Sequence, residues 1–516
     1  MKLGFISIFG AASMAVAQSV PNAPVAQAAL AATAVAQSAS LPATKVAGAQ
    51  VPSVTSPVIR FEDASDQAGI DFTHSFGSRQ LGSLLEGTGA GCVWFDYNNS
   101  GLPSLYVVNG RPLDDSMHPY PLKEKPVTPP HNHLYRNDGN GRFTDVTDKA
   151  GLNPDMYSVA VAAADYNNDG NEDLLVTGYG KVVLYHNDGN GHFTDVTEKA
   201  GIKVEGWAIS STWLDYDRDG CVDLFIGRYV KFDPKYRAFY APTNYPGPLD
   251  YEGETNMLFH NNCDGTFTDV TEKSGIGAYV GRTMGVTAAD FDNDGWDDIY
   301  VANDRTENFL FHNKHDGTFE EIGNDTGTAF GQNGESTSSM GPVFADLEGR
   351  GVLDLWVTDG HYNRLLHNTG KLTFEDIGAD TGVSQVNAQY VSWGTGIYDF
   401  DNDGKVDAYV VNLGAHGTLV HNVSTNTGHW VEVKLKGSKS NRDGIGAKVE
   451  VFAAGQRWTS ERVAGSGYLS QNDGRLHFGL GTAAMIDKLL VHWPSGRDQV
   501  LEKLAVDRVL MVEEPK

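Results

Sequence analysis

Four nonapeptides in this chain of 516 residues place oxygen-bearing side chains at positions 1, 3, 5 and 9, with Gly at position 6. They are Asp165/Asn167/Asp169/Asp173, Asp215/Asp217/Asp219/Asp223, Asp290/Asp292/Asp294/Asp298 and Asp399/Asp401/Asp403/Asp407. In a tight loop the first three residues aim oxygens at one centre, and Gly permits the backbone reversal. Residue 7 adds its carbonyl, and Asp at position 9 closes the shell bidentately. An all-oxygen, carboxylate-rich set selects a hard cation of the calcium type, here with the last ligand three residues earlier than in an EF-hand. Two weaker copies exist. The one at Asp96 offers only Asn98, Ser100 and Ser104, too few charges for an ion. The one at Asp346 has Glu348 at position 3 and Arg350 at position 5, so a guanidinium is expected to stand in for the metal. A closed oxygen cage leaves little room for substrate, which predicts a structural role for the bound calcium.

These loops open a unit that repeats. Each is followed by an apolar run, then by a second run ending in Asn (137, 187, 261, 313, 368 and 422), then by Phe-Thr-Asp-Val-Thr or a relative at Phe143, Phe193, Phe267, Phe319 and Phe374. A unit of about 50 residues holding four short strands reads as a propeller blade. The predicted fold class is therefore all-β: a calcium-loop β-propeller over 58–427, with six repeats countable and room for a seventh in a longer insertion. The sixth unit, from Asp399 to Asn422, lacks its Phe-x-Asp strand, and a spare copy, Phe61-Glu-Asp-Ala-Ser65, stands at the front. That strand is expected to complete the last blade. His186, His260, His312, His367 and His421 recur just before the Asn, and a repeated position implies a repeated structural role.

The loops join strands one and two of a blade, so all lie on one face, and the connections that could carry a ligand site emerge on the other. Long insertions at 110–132 and 230–255, with the 325–341 and 74–91 stretches, gather there. The candidates for acid–base work or ligand binding on that rim are His74, Arg79, Glu86, Arg228, Arg282, Asn303, Arg305, Glu335, His361 and His416. No nucleophile elbow, phosphate loop, dinucleotide fingerprint or zinc pattern is present.

Charge narrows the partners. With 39 Lys+Arg against 66 Asp+Glu the net charge is −27; the segments 1–57 and 428–516 are each +2, which leaves −31 on 58–427. Such a surface repels nucleic acid, whose binding needs clustered Lys and Arg. Residues 1–17 carry Lys2, a short apolar run and Ala15-Val16-Ala17, the pattern of a secretory signal, and 18–57 read as a disordered linker or pro-segment. No body segment reaches the roughly 18 apolar residues of a membrane span. Sequons at Asn98, Asn324 and Asn422 would accept glycans in a eukaryotic host. Cys221 and Cys263 fall in turns at one end of the same unit, as a disulfide or as two free thiols, and Cys92 opens an apolar strand.

After Asn422 the repeats stop, and 428–516 reads as a small β-sandwich. Ser440-Asn-Arg-Asp-Gly-Ile-Gly-Ala447, Gly467-Tyr-Leu-Ser-Gln-Asn-Asp473 with Leu476-His-Phe-Gly-Leu-Gly481, and Val491-His-Trp-Pro-Ser-Gly496 resemble the ASPIC/UnbV domain. The acidic loops resemble FG-GAP (VCBS-type) repeats. Together this is the layout of the cartilage acidic protein family, which implies a secreted, calcium-binding, integrin-α-like propeller; seven blades are usual there, against six repeats here. The resemblance implies no single activity, since some members serve matrix and cell contact and the UnbV name comes from enediyne biosynthesis. Two functions stay open: a calcium-dependent extracellular scaffold for a glycan, protein or small molecule, or a cyclase, isomerase or lyase using rim His, Glu and Arg.

Overall fold

In the computed structural model, the described residues are 59–75, 82–111, 130–236, 245–360, 362–386, 396–425 and 427–516. The signal and linker expected over 1–57, with Arg79 and His361, lie outside them. Six four-stranded antiparallel sheets follow one another. The second is typical: Tyr157–Ala164, Asp173–Tyr179, Val183–Asn187 and Phe193–Asp195. Its first strand, Tyr-Ser-Val-Ala-Val-Ala-Ala-Ala, is buried throughout, because small side chains let neighbouring blades approach on both faces. Only the Phe of its last strand turns inward, while the Thr and Asp after it are exposed. Each blade thus grades from an apolar inner strand to a polar outer one, and aromatic residues fill the wedge between blades, as where Tyr97 and Phe193 pack 6.2 Å apart.

The last blade is built from both ends of the repeat region. Phe61–Asp63 pairs antiparallel with Thr418–Asn422, in the register Phe61 with Asn422, beside Asp407–Val410 and Gly396–Tyr398. The front strand therefore takes the place of the missing Phe-x-Asp phrase, as its sequence predicted. Six such blades, and no seventh, are found among the described residues of the repeat region.

Residues beyond 428 form two further sheets. Leu476–Gly481, His429–Lys436 and Arg508–Glu513 make one, and Gln456–Glu461, Lys448–Ala453, Ile486–His492 and Asp498–Leu504 the other. Val431, Val433, Val449, Val451, Phe478 and Leu489 fill the space between them, which is a β-sandwich core. The sandwich packs tightly on the propeller. Between Glu461 and Leu476 its chain enters the middle of the blades, where Ala464 bridges Trp213 and Gln471 bridges Val93 on inner strands. Gln471 is buried, and burial of an amide needs full pairing. Its N–H donates to Cys92 O at 2.9 Å, Oε1 accepts from Ala163 N–H at 2.9 Å, and Nε2 donates to Ala163 O at 3.1 Å. Among the described residues no helix is long and apolar enough to cross a membrane.

Candidate metal centres

Each acidic loop is shaped by its own backbone. In three of the four the carboxylate at position 1 accepts the N–H groups of positions 5 and 6, as Asp165 does from Asp169 at 2.9 Å and Gly170 at 2.7 Å and Asp399 from Asp403 at 3.0 Å and Gly404 at 2.7 Å, while Asp215 accepts only Gly220 N–H at 3.2 Å. Gly170, Gly220, Gly295 and Gly404 take φ of 94°, 90°, 89° and 82° at position 6, a region closed to most side chains. Position 5 in turn accepts the N–H of position 7, as Asp294 does from Trp296 at 2.9 Å. These backbone bonds converge the loop donors on one centre. Carboxylate oxygens of Asp215, Asp217 and Asp223 lie within 4.8 Å of one another, and those of Asp292 and Asp294, or Asp401 and Asp403, do so with His312 or His421.

Several of these oxygens are stranded. Asp173 Oδ2, Asp298 Oδ2, Asp215 Oδ1 and Asp217 Oδ1 are buried without a hydrogen-bond partner. A carboxylate oxygen in that state is costly unless a cation supplies the missing contact. Burial, aided by the charge of Asp443, pushes Asp165 up to about 8; burial with Asp219 does the same to Asp215, and burial with Glu432 takes Asp399 to about 7. Burial also raises Asp407 to about 8, and Asp290 and Asp298 to about 6. The donor set thus fits a hard divalent ion, whose binding would displace protons from these carboxyls.

The recurrent histidines belong to these cages, a role their spacing alone did not reveal. His186, His260 and His312 set Nδ1 3.2, 3.2 and 3.0 Å from the position-9 carboxylates Asp173, Asp223 and Asp298, and the adjacent carboxylate raises each imidazole pKa. The recurrent Asn after them is a joint between blades. Asn187 Nδ2 donates to Tyr97 O in the preceding blade at 2.7 Å and to Glu172 O at 3.0 Å; Asn261, Asn313 and Asn368 reach Tyr166 O, Tyr216 O and Phe291 O in the same way. Each of these carbonyls belongs to position 2 of the previous blade's loop. Asn422 donates only within its own blade, to Val406 O at 3.1 Å, and is buried, so its sequon is inaccessible in the fold, whereas Asn98 and Asn324 are exposed.

In the fifth blade the guanidinium of Arg350 fills the centre of the loop among its acidic groups. Nη2 lies 3.1 Å from Asp354 Oδ1, Nε 2.6 Å from Glu348 Oε2, and Nη1 donates to Asn368 O at 3.0 Å. In the first blade Lys434 of the sandwich reaches Asp96 Oδ2 at 3.3 Å. Cys221 and Cys263 are joined as a disulfide, with Cα atoms 5.7 Å apart, tying the third blade's loop to its outer turn; Cys92 is buried.

The rim candidates are held by local partners. Arg228 pairs with Glu254 at 2.5 Å, Arg282 donates to Tyr251 O at 3.1 Å, and Asn303 donates to Glu307 O at 2.6 Å. Glu335 accepts Asn333 N–H at 2.9 Å and the Tyr362 hydroxyl, and Glu86 accepts Gly82 N–H at 2.6 Å. His74, lowered to about 4 by burial, accepts Gly414 N–H at 2.9 Å, while His416 Nδ1 faces Gly417 O at 2.7 Å. Arg305 has φ of 59° and its N–H donates to Thr337 O. Among the described residues these bonds tie each candidate to nearby backbone or to a non-candidate side chain, rather than drawing candidates into one constellation.

Comparison with known proteins agrees with this architecture. FG-GAP-like repeats match residues 127–176, 165–226, 249–301 and 290–357, and the ASPIC and UnbV family matches 437–516. Cartilage acidic protein 1 of Xenopus tropicalis is 28% identical over 267 residues, 48% of this chain and 39% of that protein. The Homo sapiens protein is 27% identical over 274 residues, 48% of this chain and 38% of its own length. The chain thus spans about two fifths of the length of the curated relatives it matches. Among solved structures, an Agrocybe aegerita lectin that recognises non-reducing terminal N-acetylglucosamine covers 64% of this chain and 80% of its own, at 16% identity and a TM-score of 0.33. The chain thus carries FG-GAP-like repeats within 127–357 and an ASPIC/UnbV domain over 437–516, and it is similar over about half its length to cartilage acidic protein 1.

Proposed function

We propose that the protein is an extracellular, calcium-dependent binding scaffold that takes a glycan, protein or small molecule on the face opposite its acidic loops. The observation that carries this reading is the placement of the C-terminal sandwich. It meets the acidic loops and lines the blade centre with Ala464–Gln471, which favours the opposite face for a ligand. Stranded buried carboxylate oxygens in three of the four loops, and converging Asp and His groups in the fourth, support calcium as the ion. The local pairing of Arg228, Arg282, Glu335 and His74 favours a scaffold over an enzyme, because acid–base catalysis needs such groups to converge on one reacting atom.

Two measurements test the reading. Equilibrium dialysis of the full chain against Ca2+ should give four ions per chain and a melting temperature raised above that in EGTA; no bound calcium, or an unchanged melting temperature, refutes the calcium part. Glycan and matrix-protein arrays probed with the chain should show binding that survives R218A on the loop side and weakens with R282A on the other. Binding lost only with the loop-side variant would reverse the assignment of faces.

A further inference from the structure

One residue of every well-formed acidic loop faces outward, at position 4. Asn168, Arg218, Asn293 and Asn402 hold this place with φ of 57°, 58°, 63° and 57°, a left-handed conformation imposed by the loop. All four touch the C-terminal sandwich. Asn168 Oδ1 accepts Arg442 N–H at 2.7 Å, Arg218 Nε donates to Pro494 O at 2.7 Å, Asn402 Oδ1 accepts Arg475 Nη1–H at 2.9 Å, and Asn293 Oδ1 accepts Lys448 Nζ. The two degenerate loops differ. Asn99 bonds within the propeller to Gly170 O at 3.1 Å, and position 4 of the fifth blade is Gly349, which has no side chain.

Position 1 of these loops is also read by the sandwich, through carboxylates. Asp165 N–H donates to Asp443 Oδ2 at 2.7 Å, and Asp290 N–H donates to Glu461 Oε1 at 3.1 Å. Each bond brings a second carboxylate up to a loop already crowded with its own. Repulsion between such groups in a buried setting is relieved by a divalent ion in the loop. Between these contacts runs the segment that enters the blades, fixed by Trp213 N–H to Ala464 O at 2.8 Å, Gly467 N–H to Pro342 O at 3.0 Å and Gln471 N–H to Cys92 O at 2.9 Å. Arg475 locks its far end, with Nη1 2.9 Å from Glu432 Oε2 and its guanidinium over the Tyr398 ring at 4.6 Å.

We propose that cation occupancy of the acidic loops controls the docking of the C-terminal sandwich, so that Ala464–Gln471 is a calcium-dependent plug of the propeller centre. An ion fixes the loop conformation that presents position 4, and it neutralises the carboxylates that Asp443 and Glu461 approach. Removing the ions loosens both contacts together and frees the plug, while each sheet keeps its own hydrogen bonds. This inference rests on the calcium reading above.

Hydrogen exchange on the full chain tests it. In EGTA the amides of Trp213, Gly467 and Gln471 should exchange at least about tenfold faster than in Ca2+, while amides inside the sandwich, such as Val433 and Val451, change little. A second variant separates docking from ion binding. N168G/N293G/N402G removes three position-4 side chains yet keeps the left-handed backbone that Gly tolerates, and it leaves every ligand at positions 1, 3, 5 and 9 in place. It should bind four ions and still show fast exchange at the plug in Ca2+. If calcium binds but plug exchange is the same with and without it, the plug proposal fails and the calcium reading stands. If no calcium binds, both fail.

Discussion

Replacing Asn187 by Ala would break a joint between the first two blades, and its cost follows from the atoms left behind. The side chain is buried and makes three bonds: Nδ2 to Tyr97 O at 2.7 Å and to Glu172 O at 3.0 Å, and Oδ1 from Gly189 N–H at 3.0 Å. Alanine strands two carbonyls and one N–H. A buried polar group left unpaired costs about 1–3 kcal/mol, and a water entering the small void would recover part, so the expected loss is about 3 kcal/mol. Asn187→Asp keeps the shape but turns a carboxylate oxygen toward the same two carbonyls, so it should cost about 1 kcal/mol more than Ala. The assay is urea unfolding of both variants at fixed excess calcium, comparing midpoints at unchanged slope. An Asp variant more stable than the Ala variant, or an Ala variant losing less than about 0.5 kcal/mol, would refute the donor role assigned to Nδ2.

Arg350→Ala removes the guanidinium from Asp354, whose side chain is almost wholly buried, and should destabilise by about 2 kcal/mol, less than a fully buried pair because Arg350 is 30% exposed. R350D instead puts oxygen at positions 1, 3, 5 and 9 of that loop, so equilibrium dialysis should count one calcium more than in the parent; an unchanged count would remove the argument that the guanidinium replaces an ion. Glu514 gives a pH prediction. Burial pushes its carboxyl up, but the Ser495 hydroxyl and the N–H groups of Lys439, Ser438 and Ser440 outweigh this and hold it at about 2. A depressed carboxyl contributes its full stability above its ordinary value and loses it as pH falls toward 2. The wild type should therefore lose stability between about pH 4.5 and 2 more steeply than Glu514→Gln; parallel acid limbs would sink this assignment.

Much of the fold was legible because the blades are local. A strand, a nine-residue loop and the next strand are contiguous, so the phrase beginning at Asp165 dictates a turn and its hydrogen bonds without help from elsewhere. The missing Phe-x-Asp strand of the last blade was legible by subtraction, since five copies defined what the sixth lacked and Phe61–Asp63 supplied it. Arg350 could be read in the same way, as a basic residue where its counterparts carry Asp. The histidines could not. A repeated His signals a repeated environment but not that the environment is the loop carboxylate of its own blade. The rim candidates were chosen by residue type on long insertions, and local pairing of Arg228 with Glu254 is a contact between residues 26 apart that no period marks.

By itself the sequence determined the six repeating units, the donor pattern of their loops, the strand that completes the last blade and the sandwich that follows. Each depends on hydrogen bonds and apolar spacing inside a short stretch, or on a repeat compared with its own copies. Only the tertiary structure decided that the sandwich lies on the acidic loops and sends Ala464–Gln471 into the blade centre. Those contacts pair Gln471 with Cys92 and Ala163, and Arg475 with Asn402. They join residues far apart in the chain, each used once, and their energy comes from satisfying buried polar groups that no local pattern announces.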